Sequence, residues 1–295
     1  MNKVTAGFNI IVFILLMSLG TQAVAKPMVK GIYVTQYSLL TKQKLEYLIQ
    51  NAKAVGLNTF VVDLWGMTPR YKQNIQRVKD AGLRYVARIV VFPLGASPDQ
   101  ANSQAYLDKK LNLVKHAIAA GADEVQLDYI RYRVGTPSSE RNEQRIHQII
   151  KWFKAQIKDT NVPLQIDVFG EASFKPSRSI GQNIKLFGPS IDAINPMVYP
   201  SHYEPHPIPS KQPYKTILDS LNALHAQVGG ERSFRLYPYI ETSNYRYPMS
   251  NSSKVHYIHE QIRAVQDGKA DGWYAWSPNN HYDNLFKTLR AYKVW

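Results

Sequence analysis

The chain has 295 residues, of which 44% are hydrophobic and 20% are charged, and this composition is typical of a globular protein with one large core. It contains no cysteine, which excludes a disulfide framework and a cysteine nucleophile. The formal net charge of +14 favours anionic partners such as an acidic polysaccharide. The basic residues are spread over many segments, so a nucleic-acid partner is not predicted.

The first 25 residues have the pattern of a secretory signal peptide. Lys3 gives a positive start, residues 8–19 are almost wholly apolar, and Ala23-Val24-Ala25 matches a signal-peptidase site. The apolar run is short for a membrane span, and a membrane anchor is the alternative. We therefore expect residues 1–25 to be removed and residues 26–295 to form a periplasmic or secreted domain without stable membrane insertion.

After this segment, strand and helix patterns alternate along the chain. The predicted strands are Gly31–Tyr37, Thr59–Leu64, Tyr85–Phe92, Glu124–Ile130, Leu164–Phe169, Asp192–Tyr199, Arg235–Glu241 and Gly272–Trp276. The predicted helices follow Thr41, Thr68 and Ser138 or Ser139, and cover Ser103–Ala120, a short segment near Ile180–Phe187, Lys215–Val228, Ser253–Gln266 and the C-terminal segment through Leu289.

This alternation predicts an α/β protein with a single (β/α)8 TIM barrel. Most strands are continuous apolar runs, as in parallel sheets that are covered on both faces. The alternative is an open doubly wound sheet. No glycine-rich phosphate-binding fingerprint follows the first strand, so a nucleotide-binding version of that sheet has little support.

Two neighbouring predicted strands carry an amide and then an acid on the face opposite their apolar residues. The four residues are Gln126 and Asp128 on the fourth strand and Gln165 and Asp167 on the fifth. Side chains alternate between the faces of a strand, so all four should point into the barrel. The same alternation assigns Ile130 to the interior and Tyr129 to the side that faces the helices.

Asp128 and Asp167 are the predicted catalytic pair. Two partly desolvated carboxyl groups that lie close together acquire different pKa values, and glycoside hydrolysis requires such a pair. Glu241, at the end of the seventh strand, is the reserve partner. The sequence leaves open which acid donates the proton, and each acid could instead form only a structural ion pair with an arginine.

The predicted substrate-binding residues lie at strand ends or in the loop after the sixth strand, where a barrel enzyme keeps its site. Aromatic rings there can hold the apolar face of a sugar, and arginines can orient the acids. These residues are Tyr33, Asp63, Arg88, Arg131, Tyr199, His202, Tyr203 and Trp276.

No metal or other cofactor is predicted. The chain has no His-Glu-x-x-His motif, and no predicted strand carries His-x-His. His256 and His259 are three residues apart on a helix, a spacing that we interpret as solvated surface. A metal-dependent deacetylase therefore lacks its ligands, and the absence of Gly-x-Ser-x-Gly disfavours a serine triad.

Several motifs resemble a bacterial family of barrel proteins classed with the glycoside hydrolases and long catalogued as a domain of unknown function. The resemblance spans Lys30 to Tyr282. Its longest motifs are Gln126-Leu127-Asp128-Tyr129-Ile130-Arg131, Asp167-Val168-Phe169-Gly170 and Pro196-Met197-Val198-Tyr199-Pro200-Ser201-His202-Tyr203. It implies a TIM-barrel glycosidase whose site contains Asp128, Arg131, Asp167, Tyr199, His202 and Tyr203. An acid at Glu171 departs from the family pattern.

The leading hypothesis is an exported glycoside hydrolase that cleaves a cell-envelope or extracellular polysaccharide, which could be anionic. The competing hypothesis is a non-catalytic barrel that binds glycans with the same rim. It would be favoured if Asp128 and Asp167 were far apart and each tied to an arginine. The sequence leaves the oligomeric state open.

Overall fold

A computed structural model describes residues 28–293, and the predicted signal peptide lies outside this range. The strands of the described residues form one parallel sheet. They are β1 Val29–Val34, β2 Thr59–Asp63, β3 Arg84–Val90, β4 Glu124–Asp128, β5 Leu164–Phe169, β6 Ala193–Met197, β7 Arg235–Leu236, β8 Tyr239–Glu241 and β9 Gly272–Trp276. Strand β1 pairs with β9, and β5 pairs with β6, so the sheet closes on itself.

The sheet is an eight-position barrel, because β7 and β8 together occupy the seventh position, which confirms the predicted (β/α)8 architecture. Pro238 lies between β7 and β8, and proline lacks the N–H that a strand ladder requires. Strand β6 pairs with β7 and, further along, with β8. The single predicted strand Arg235–Glu241 is therefore interrupted.

Helices cover the outside of the barrel. They are α1 Gln36–Leu40, α2 Lys42–Ala54, α3 Pro69–Asp80, α4 Pro98–Asn102, α5 Gln104–Ala119, α6 Glu140–Gln156, α7 Ile184–Phe187, α8 Pro207–Lys211, α9 Pro213–Val228, α10 Asn251–Asp267 and α11 Asp283–Tyr292. None of the helices in residues 28–293 is long and apolar enough to cross a membrane.

Local capping explains several helix starts. Thr68 Oγ1 accepts a hydrogen bond from Tyr71 N at 3.1 Å, and Ser139 Oγ accepts one from Arg141 N at 3.2 Å, so Ser139 is the cap of α6. Thr35 caps α1 by accepting from Ser38 N at 3.1 Å. This cap ends the first strand at Val34 and places Tyr37 in a helix, where the sequence predicted a strand.

The barrel wall separates two cores. Outward residues such as Val125, Leu127 and Ile166 pack against the helices in the larger core. The interior contains a hydrogen-bonded polar layer around Gln165, which contacts Gln126 at 3.2 Å and Tyr274 at 3.1 Å. The prediction that the amides of β4 and β5 point inward is confirmed.

Candidate active site

A cavity of about 340 Å³ opens at the carboxyl end of the barrel strands. This is the face on which barrel enzymes place their chemistry. Eight of the eleven residues predicted from the sequence line it, and they are Tyr33, Arg88, Asp128, Asp167, Tyr199, His202, Tyr203 and Trp276.

Asp128 is the last residue of β4 and points into the cavity. Its Oδ1 accepts a hydrogen bond from the N–H of Tyr129 at 2.5 Å. Tyr129 has φ +52°, a left-handed conformation that is uncommon for a residue with a Cβ, and the alternation of the strand ends there. The prediction that Tyr129 faces the helices is wrong: it lines the cavity, while Ile130 packs into the outer core.

Arg88, on β3, holds two carboxylates together. Its Nε donates to Asp128 Oδ2 at 2.9 Å, its Nη2 donates to the same oxygen, and its Nη1 donates to Asp63 Oδ1. The Tyr33 hydroxyl donates to Asp63 Oδ2 at 2.5 Å, and the Arg88 guanidinium lies 5.1 Å from the centre of the Tyr33 ring. This network fixes Asp128 and compensates its negative charge.

Asp167, on β5, has a different environment. It is buried, and its Oδ1 accepts a hydrogen bond from Asn195 Nδ2 at 3.0 Å. Burial and the negative charge of Asp128 raise the pKa of Asp167 well above its usual range, and a hydrogen bond between the two carboxyl groups contributes to this shift. No arginine or lysine forms an ion pair with Asp167 within residues 28–293. Asp167 therefore keeps its proton at a pH where an ordinary aspartate has lost it.

An aromatic wall rises beside the two acids. The rings of Tyr199 and Trp276 are stacked with centroids 5.2 Å apart, and Tyr245 packs on the same Trp276 at 5.2 Å. The His202 ring meets Tyr199 edge-on at 5.1 Å. Burial and the charges of Asp167 and Asp128 raise the pKa of Tyr199, so its hydroxyl remains a hydrogen-bond donor. Burial and Arg246 lower the pKa of His202, which favours a neutral ring.

Three predicted site residues are not among those that line the cavity. Asp63 lies behind Arg88 and Tyr33. Arg131 donates to the carbonyl oxygen of Tyr132 at 2.8 Å, and its guanidinium packs over the ring of Phe169 at 4.8 Å. Arg131 therefore supports Phe169, which lines the cavity, and does not line the cavity itself.

Glu241 is the third of these residues, and it is fully buried beneath the loop that follows β6. It accepts hydrogen bonds from Ser201 N at 2.9 Å, Ser201 Oγ at 2.6 Å and the Tyr257 hydroxyl at 2.6 Å. Burial raises the pKa of Glu241 to about 7. The contacts make Glu241 an anchor for the loop that carries His202 and Tyr203.

The sequence analysis assigned no site role to Tyr129, Phe169, Met197 or Tyr245. The first three line the cavity, and Tyr245 packs on its aromatic wall. Phe169 and Met197 are the last residues of β5 and β6, so their position at strand ends was a usable signal. Tyr245 lies in the loop after β8, where no periodic pattern indicates the direction of a side chain.

Among the described residues, the cavity is lined by one histidine, His202, and two of its three acids, Asp128 and Asp167, are hydrogen-bonded to protein groups, which leaves few ligands for a metal ion. A cluster of potential ligands, His256, His259 and Glu260, lies on α10 outside the cavity. Glu260 is already paired with Arg263 at 2.9 Å, and the ring of His259 stacks on Tyr292.

Solved structures with this fold include several glycan-cleaving enzymes. The C-terminal domain of a putative chitinase from Desulfitobacterium hafniense superimposes with a TM-score of 0.64 at 12% identity and covers 89% of this chain and 98% of that one. The spore cortex-lytic enzyme SleL of Bacillus megaterium superimposes with a TM-score of 0.62 at 11% identity, and the match covers 90% of this chain and 73% of that one. An endo-β-1,4-mannanase from Thermotoga petrophila superimposes with a TM-score of 0.64 at 12% identity, and the match covers 90% of this chain and 76% of that one.

At these identities the likeness establishes the fold, and the family comes from the sequence itself. No curated protein matches the chain. Residues 97–282, which include both predicted catalytic acids and the loop after β6, match a family described as "Putative glycosyl hydrolase domain". The match covers more than half of the chain, and the chain therefore belongs to this glycosyl hydrolase family.

Proposed function

We propose that the protein hydrolyses a glycosidic bond within a glycan, with Asp128 and Asp167 as the two catalytic carboxyl groups. The observation that carries the proposal is the position of two buried acids on adjacent strands, in unequal surroundings. Asp128 forms an ion pair with Arg88, and its other oxygen accepts a hydrogen bond from the Tyr129 N–H. Burial beside Asp128 raises the pKa of Asp167 and favours its protonated form. One acid can therefore donate a proton while the other remains an anion, as glycoside cleavage requires.

The close contact favours a mechanism with retention of configuration. Inverting enzymes separate their carboxyl groups by roughly 6.5–9.5 Å to admit a water molecule, whereas retaining enzymes keep them about 5–5.5 Å apart. Leu127 of β4 pairs with Ile166 of β5, so Asp128 and Asp167 occupy neighbouring positions on adjacent strands, whose spacing of about 4.7–4.9 Å is near the shorter range.

In the first step Asp128 attacks the anomeric carbon, the glycosidic C–O bond breaks, and Asp167 gives its proton to the leaving oxygen. In the second step Asp167, now a carboxylate, accepts a proton from water. The resulting hydroxide adds to the anomeric carbon and releases Asp128 as a carboxylate.

The walls of the cavity fit a sugar ring. Tyr199 and Trp276 offer flat apolar faces, and the protonated Tyr199 hydroxyl can donate to a substrate oxygen close to the acids. We do not extend the proposal to an anionic sugar. Of the arginines and lysines in residues 28–293, only Arg88 lines the cavity, and it is already bound to Asp63 and Asp128. We keep export as part of the proposal on the pattern of residues 1–25.

The test compares Asp128→Asn and Asp167→Asn on a glycan identified by screening the wild-type protein. Each variant should lower kcat by roughly 10²–10⁴-fold. With a dinitrophenyl glycoside, whose leaving group needs no proton, Asp167→Asn should recover much of its kcat/KM, which reports the first step, and Asp128→Asn should not. Proton NMR of the first product should show the retained anomer. Asp108→Asn changes an exposed acid on α5 and serves as the control with wild-type activity.

The proposal fails if both variants keep full activity. The competing hypothesis of a glycan-binding barrel requires each acid to be tied to an arginine and the two to be far apart. Asp128 meets the first condition, but Asp167 has no ion-pair partner within the described residues and lies beside Asp128 on the adjacent strand. Binding of a glycan with no turnover by the wild-type protein would restore that hypothesis.

A further inference from the structure

A second groove, of about 480 Å³, adjoins the cavity on the side of the β5 and β6 loops. Phe174, Lys175 and Gln212 are among its lining residues. It shares Glu171 and Tyr203 with the cavity, because both residues line both spaces. We infer that this groove binds the next sugars of the same glycan chain, an inference that rests on the proposed hydrolysis.

Tyr203 forms a fixed ridge between the two spaces. Its ring is buried, and its hydroxyl is hydrogen-bonded to Ser220 Oγ at 2.9 Å. Gly170 faces this hydroxyl so closely that a Cβ there would lie 2.1 Å from it. The position of Tyr203 therefore depends on a glycine at the start of the β5 loop, and the ridge has little freedom to move.

Glu171 marks the passage between the two spaces. Its carboxylate has no hydrogen bond or ion pair with another side chain of residues 28–293. Burial and the nearby Glu204 raise the pKa of Glu171, which is consistent with a group that lacks a compensating partner. Sugar hydroxyl groups donate hydrogen bonds. A glycan that extends from the cavity over Tyr203 would bring these hydroxyl groups to the carboxylate oxygens of Glu171.

The surface of the groove combines an apolar face with a polar rim. Phe174 is 50% exposed and meets the Tyr203 ring edge-on at 6.2 Å, and Ile208, which is 59% exposed, also lines the groove. On the rim, Lys215 and Asp219 neutralise each other at 2.5 Å. A sugar ring has the same division into an apolar face and hydroxyl edges.

The experiment measures binding by isothermal titration calorimetry in the full-length Asp167→Asn protein, in which turnover should be slowed by roughly 10²–10⁴-fold. The probes are β-1,4-linked oligosaccharides of N-acetylglucosamine, glucosamine and mannose, from disaccharide to hexasaccharide. Affinity should rise with chain length. Phe174→Ala should weaken hexasaccharide binding about tenfold and leave disaccharide binding unchanged, because only the longer chain reaches the ring.

Two further variants are matched to Phe174→Ala. Phe174→Tyr keeps the ring and should keep the hexasaccharide affinity. Tyr292→Ala removes an aromatic ring of similar exposure, 43%, which lines neither space and should have no effect. Equal melting temperatures would show that the exposed substitutions leave the fold intact.

The outcomes separate the inference from the proposed function. If the protein binds glycans but Phe174→Ala has the same dependence on chain length as its parent, the groove is not a sugar site and hydrolysis remains supported. If the wild-type protein neither binds nor cleaves any glycan of the panel, the proposed function fails on this panel and the groove inference fails with it.

Discussion

The two ends of the barrel contain similar ion pairs with different surroundings. At the amino end of the strands, Arg84 on β3 pairs with Glu124 on β4. Four residues further along the same two strands, Arg88 pairs with Asp128 at the cavity. Residues four apart on a strand share a face, so both pairs point into the barrel.

At the amino end, charges are balanced. Glu124 is buried, one of its oxygens accepts from Arg84, and the other accepts from the side-chain amide of Gln165. One cation and one amide therefore satisfy one carboxylate. Such an arrangement connects β3, β4 and β5 and leaves both carboxylate oxygens of Glu124 with a partner.

At the cavity, acids outnumber the cation. Arg88 serves Asp63 and Asp128, and Asp167 lies against Asp128 with the Asn195 amide as its other partner. The excess negative charge is relieved when Asp167 holds a proton. An acid without an ion-pair partner, rather than the presence of buried acids, therefore distinguishes the cavity end of this barrel from its amino end.

Replacing the two arginines would test this difference most strongly. Arg88→Met leaves two buried carboxylates without their cation and should lower the free energy of unfolding by about 3–5 kcal/mol. Arg84→Met leaves one carboxylate, still bonded to Gln165, and should cost about 1–3 kcal/mol. Urea denaturation at neutral pH measures both. Equal losses, or loss of hydrolysis in Arg84→Met with retention in Arg88→Met, would contradict the comparison.

Glu241 is a buried acid whose carboxyl group accepts hydrogen bonds from Ser201 and Tyr257 and has no arginine or lysine partner among the described residues. Its pKa is about 7 in the folded protein and 4.5 for the free side chain. As the pH rises from 4.5 to 7, the unfolded carboxyl loses its proton first, so this group lowers stability by up to about 3 kcal/mol over that range.

Glu241→Gln cannot titrate and should remove this part of the pH dependence, although the lost hydrogen bonds lower stability at every pH. Unfolding free energies measured from pH 4 to pH 8 give the slope of stability against pH. Glu140→Gln, which changes a mostly exposed glutamate on α6, should keep the wild-type slope. A slope in Glu241→Gln identical to that of the wild-type protein would show that Glu241 does not titrate as the structure implies.

The features predicted from the sequence are those that depend on local patterns. The inward direction of Asp128 and Asp167 follows from the two-residue repeat of their own strands. The turn at Tyr129 was missed because a positive φ at a residue other than glycine leaves no mark on the apolar pattern. The burial of Glu241 depends on Ser201 and Tyr257, which come from a distant loop and helix, and a strand pattern contains no information about them.

The smallest expected effect concerns the amide beside Asp167. Asn195 Nδ2 stabilises the carboxylate form of Asp167, so Asn195→Ala should raise the pKa of Asp167 further. A hydrogen bond to a charged group contributes about 1.5 kcal/mol, which corresponds to about 1 pH unit. Because Asp167 must be protonated to act as the acid, the alkaline limb of kcat/KM should move to higher pH by about this amount.

The control variant Asn58→Ala removes an amide at the amino end of the barrel, where Asn58 Oδ1 accepts a hydrogen bond from Lys30 N at 2.9 Å. It should leave the alkaline limb of kcat/KM at its wild-type pH. Movement of the limb to lower pH in Asn195→Ala would mean that the amide stabilises the protonated acid. An unmoved limb would mean that it reports another group, with Asp128 the first candidate for the proton donor.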